Sequence, residues 1–90
     1  MEIGQIVFSK QGRDKDKFFI IYAKEGNYVF LVDGKLRKLE SPKKKKLIHI
    51  AKTNYIDRNI ADMIKNKNYI LDSDIRKAIK LYREREAEVV

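Results

Sequence analysis

A mainly β domain, closed into a small barrel of five strands and followed by two short α-helices, is the fold this sequence predicts. Three observations predict it. Short apolar runs at residues 3–8, 18–23 and 28–32 are separated by glycine-bearing polar turns. Past residue 57 the apolar spacing changes from the period of a strand to that of a helix. Ninety residues without cysteine make one domain with a modest core and no disulfide to hold it.

The elements follow in order. Residues 3–8 form a first strand with Ile6 and Phe8 on one face. Residues 9–17 form a polar loop holding Lys10, Arg13, Lys15 and Lys17. Residues 18–23 are apolar on both faces, as a central strand of a small barrel must be. Gly26 and Asn27 accept positive φ and turn the chain into a third strand, 28–32, in which Phe30 is read as core together with Ile20. Asp33-Gly34 is a second turn. Leu36 and Leu39 mark a short fourth strand, broken by Glu40-Ser41-Pro42, and residues 47–51 close the barrel as a fifth. Asp57 caps a helix that carries Ile60, Ala61 and Ile64 on one face and runs to residue 65. Asp72 or Ser73 caps a second helix over 74–87, with Ile75, Ala78, Ile79 and Tyr82 as its apolar stripe. Helices this short do not stand alone in water. Residues 54–90 therefore pack as an appendage on the barrel of residues 1–53, in a single folding unit.

The chain holds 21 Lys/Arg and 13 Asp/Glu, a net charge of +8. The excess is local. Residues 1–52 carry +7 and residues 53–90 only +1, so the barrel half is the polycation and the tail is not expected to touch a polyanion. Such a field fits RNA, DNA or an anionic membrane. No apolar run approaches the length of a membrane span, no signal peptide is visible, and no cation-rich amphipathic helix supports membrane-surface binding. A cytoplasmic location is expected, with no membrane partner.

Catalysis finds no support. His49 is the only histidine and there is no cysteine, so a metal site lacks partners. Phosphate-loop, nucleophile-elbow and metal signatures are absent. Asp72 and Asp74 read as charges at a helix start. No enzyme activity, catalytic residue, metal or cofactor is expected.

Two basic windows carry the functional reading. In the first loop, four cations fall among nine residues, and Arg13 can grip phosphate bidentately. A plain polar turn, with Asp14 orienting Arg13, is its structural alternative. Window 35–46 carries Lys35, Arg37, Lys38, Lys43, Lys44, Lys45 and Lys46 against Glu40 alone. Its structural alternative is a solvated loop that aids solubility. Most of the aromatic residues belong in a core, and Tyr28, just after a turn, is the one expected to be exposed.

The order of parts resembles the KOW motif: Gly4 opening a first strand, Gly12-Arg13-Asp14-Lys15 in the loop, an aliphatic second strand, then Val29 to Gly34 and His49 to Thr53. Over residues 3–53 the chain is similar to bacterial KOW-domain RNA-binding proteins related to the fourteen-e type of large-subunit ribosomal protein. Asp16 departs from the pattern, where relatives usually carry glycine. The resemblance implies a five-stranded SH3-like barrel and a ribosome-associated, RNA-binding role. Arg13, Lys15 and Lys17 would form one lip of the interface, and Lys35, Arg37, Lys38 and Lys43 to Lys46 the other. Structured ribosomal RNA, bound through phosphates and shape, is the expected partner, with ribosomal proteins beside it. The alternative function is a protein-interaction adaptor of the transcription-elongation or translation machinery.

Overall fold

Alternation along the strands sorts the apolar residues onto two faces, and both faces are covered. The computed structural model describes residues 1–10, 12 and 17–88. Among them, five strands form one open antiparallel sheet: β1 (Gln5–Ser9), β2 (Phe18–Glu25), β3 (Tyr28–Val32), β4 (Lys43–Lys46) and β5 (Ile50–Ile56), in the order β4-β3-β2-β1-β5. Two helices follow, α1 (Arg58–Lys65) and α2 (Asp72–Glu88). Ile6, Ile20 and Val32 face the helices and meet Ile60, Ile75, Ala78, Ile79 and Tyr82. Val7, Phe19, Ile21, Val29, Leu31 and Ile50 form a second apolar layer on the opposite face, flanked by Met1, Ile3 and Leu47. This two-sided burial is why β2 reads as apolar from Phe18 to Ala23.

Several expectations need correction. The fourth strand is the lysine run itself, paired with β3 through Tyr28–Lys46, Val29–Lys45, Phe30–Lys44 and Leu31–Lys43. It is therefore no solvated loop. Leu36 is exposed in the preceding turn, and Leu39 packs on the helix-side core. The fifth strand begins later than expected, because Leu47–His49 forms a 3-10 turn before Ile50. Phe30 is only half-buried, whereas Ile20 is fully buried.

The helix starts are set by carboxylates. Asp57 caps α1, its Oδ1 accepting from the Ile60 N–H at 3.0 Å. Neither Asp72 nor Ser73 caps α2, since the helix already includes both. Asp74 instead reaches back to accept from the Leu71 N–H at 2.9 Å, as the acid of a capping box does. Asp72 accepts from the Leu39 N–H at 2.8 Å, and Arg76 Nη1 donates to the Gly34 carbonyl at 2.7 Å. These two bonds fasten the 33–39 segment to α2.

Candidate nucleic-acid interface

Strand pairing decides which lysines share a face. Lys43 and Lys45 lie beside buried Leu31 and Val29 and are half-buried, while Lys44 and Lys46 are exposed. The exposed pair lies beside Phe30 and Tyr28, both half-buried. Lys44 Nζ sits 4.6 Å from the Tyr28 ring centroid and 5.8 Å from that of Phe30. Cation–π attraction therefore holds an ammonium against two rings at the sheet surface. Tyr28, Phe30 and Val32 share one face of β3, of which the helices cover the Val32 end. The other end presents two aromatic rings beside Lys44 and Lys46. A stacking surface flanked by cations can hold bases and phosphates together.

A second group sits where β4 meets the first loop. Lys45 Nζ donates to the buried Ser9 hydroxyl and lies close to Gly12. Lys10 is exposed, and its backbone N–H donates to the His49 carbonyl at 2.9 Å. The lysine strand thus adjoins Ser9 and Gly12. Arg13 and Lys15 lie outside the described residues.

Lys17 and Lys35 are placed elsewhere, in an open cleft of about 710 Å³ against α2. Lys38 is exposed, and half-buried Arg37 lies in a turn closed by Asp33, whose Oδ1 accepts from the N–H groups of Lys35 and Arg37, each at 2.8 Å. Lys17 and Lys35 share their cleft with Arg76, Lys77, Lys80 and Arg83 of α2. Sequence reasoning missed this basic face. Its signal was the spacing of residues 76, 80 and 83, one stripe of a helix, concealed when the tail's charge is summed. Among the acids of α2, Asp72 and Asp74 lie in the first turn, and Glu84 and Glu86 lie toward the other end, where Glu84 approaches Lys80 at 4.0 Å on the exposed surface. Phe30 was also missed as a surface aromatic.

Among the described residues, no group of three or more His, Cys, Asp or Glu is arranged to hold a metal. No helix among them is long and apolar enough to cross a membrane. Burial pushes the pKa of the Tyr82 hydroxyl upward, Glu86 adds to this, and a hydrogen bond with Thr53 opposes it. Protein-family models and curated proteins give no match to this chain.

Proposed function

We propose that this chain is a non-catalytic RNA-binding module of the KOW type, its sheet coiled as an SH3-like barrel. Its target is structured RNA, with ribosomal RNA as the leading class and ribosomal proteins as neighbours. The observation that carries the reading is the Tyr28–Phe30–Lys44–Lys46 surface: two aromatic rings and two cations on one face of adjacent strands. Lys45 is held beside Ser9 and Gly12, and exposed Lys10, which follows Ser9, adds to the positive surface there. Binding is then mostly phosphate neutralisation, with sequence-tolerant stacking on the two rings. Fold resemblance alone would not license this; the placement of the side chains supports it.

The adaptor reading retains one supporting observation. Ile48, Tyr69 and Leu81 are large apolar side chains that stand in solvent, at 72%, 85% and 62% exposure. Single exposed apolar residues are common, so this weighs less than the aromatic–cation surface. Affinity capture from a cell extract, with and without nuclease, separates the two. RNA recovered with the wild type and lost with Tyr28→Ala/Lys44→Ala supports RNA binding. A protein partner retained after complete nuclease digestion, with no RNA bound by the purified chain, would replace it with the adaptor.

A further inference from the structure

The cleft against α2 has a chemistry of its own. Its floor is apolar: Phe18 from β2, Ile79 from α2 and Leu36 from the Asp33 turn. Leu36 is 71% exposed, an uncovered leucine in a strongly basic setting. Around that floor stand Lys17, Lys35, Lys77, Lys80 and Arg83, all exposed. Asp33 is the acid among the lining residues, and its carboxylate is engaged by two backbone N–H groups. Arg76 closes the end by holding the Gly34 carbonyl.

The occupant must be anionic and must also offer a flat or apolar group. A single inorganic anion satisfies only the rim and leaves most of about 710 Å³ unfilled. A base-paired duplex cannot lower a base onto the floor. An unpaired nucleotide meets both demands, with its base on the apolar floor and its phosphates on the rim. Arg83 already lies 5.5 Å over the Phe18 ring, a guanidinium on an aromatic face at the mouth of the cleft. Arginine planes and aromatic rings are the surfaces on which splayed-out bases stack.

We infer that this cleft is a second nucleotide-binding site, which takes an unpaired nucleotide flanking the structured RNA held by the β3–β4 surface. The inference rests on the RNA-binding reading above and adds to it the selection of single-stranded flanks. Lys77, Lys80 and Arg83 contact phosphate, Leu36 and Phe18 contact the base, and Arg76 positions the turn.

The test uses one RNA hairpin in two forms, blunt and with a five-nucleotide single-stranded tail, against wild type and Leu36→Ser/Lys80→Gln. Both substituted residues are exposed, so the fold should persist, and methyl spectra of buried Val32 and Ile75 check that it does. Wild type should prefer the tailed form by about tenfold, the scale of one stacked base. The double variant should lose that preference and hold the blunt hairpin as wild type does. An equal preference in the variant, or no preference in wild type with blunt binding intact, overturns the cleft assignment and leaves the RNA reading standing. Failure of wild type to bind either form overturns both. A peptide of alternating glutamate and leucine that displaces the tail at matching affinity would assign the cleft to an acidic protein segment instead.

Discussion

Replacing Lys44 and Lys46 with threonine isolates the exposed half of the lysine strand. Threonine favours strands, so β4 should keep its pairing with β3, and the thermal midpoint should not fall. Lys45, which donates to buried Ser9, stays in place. Each phosphate neutralised contributes about 0.7–0.9 to the slope of log affinity against log salt. Loss of two such contacts should therefore flatten the slope by about 1.4–1.8. Between 50 and 200 mM salt that difference shrinks the wild type's advantage by about 7- to 12-fold. The assay is fluorescence anisotropy on one structured RNA at four or more salt concentrations, with far-ultraviolet circular dichroism as the fold control. A slope within about 0.3 of wild type, at unchanged affinity, would refute the reasoning. The lysines would then serve only to keep an edge strand from pairing with other chains, a role charged edges commonly have.

Three further outcomes follow from the packing. Ile20→Ala should cost about 2–5 kcal/mol, whereas half-buried Phe30→Ala should cost less than the full core value and weaken single-stranded RNA binding by about 1–3 kcal/mol; denaturant titration and anisotropy measure the two. Gly34→Ala should destabilise by at least about 1–3 kcal/mol and lower the midpoint by roughly 8–16 °C for a 2 kcal/mol loss, because φ is +77° and the new Cβ would lie 2.8 Å from Arg76 Cγ. Tyr82 holds its proton more tightly when folded, so its contribution is constant below the usual tyrosine pKa and is lost as pH rises through the raised one; stability of wild type relative to Tyr82→Phe should thus decline from about pH 10 upward, and a flat difference would refute this.

The parts legible in the sequence are those where burial forces a pattern. β1, β2, β3 and α1 bury apolar residues at fixed periods, and each appears close to its expected place. β4 has no such pattern. It is a strand because β3 offers it a hydrogen-bonding edge, and lysine stems lie along a sheet while the exposed Lys44 and Lys46 keep their charge at its surface and Lys45 bonds Ser9. β5 hides for a related reason: Lys52 and Asn54 face solvent, so its apolar content is diluted. Phe30 was misplaced although the signal was present. Val29 and Leu31 are fully buried on one face, so alternation sends Phe30 to the other. The tail's basic face escaped because charge was summed along the chain instead of around the helix.

The two basic surfaces are joined by one strand. β3 begins at Tyr28, beside Lys46, and ends at Val32, directly before the Asp33 turn that borders the cleft. Five residues of strand span about 17 Å, so β3 sets the spacing between the aromatic surface and the cleft. Arg76 and Asp72 hold the far end of that ruler by bonding Gly34 and Leu39. α2 thus does more than cover the core. It supplies the cleft's second wall and, through those two bonds, fixes the turn that carries Leu36 and Lys35. A near-neutral helix can do this because its cations stand together at 76, 77, 80 and 83, with Glu84 the acid beside them, paired with Lys80 at 4.0 Å. Without α2 the aromatic surface and the lysine strand could still neutralise phosphates, which carry no sequence information. If the cleft takes an unpaired nucleotide, the seating of α2 on the sheet adds a second contact with unpaired bases to the stacking on Tyr28 and Phe30.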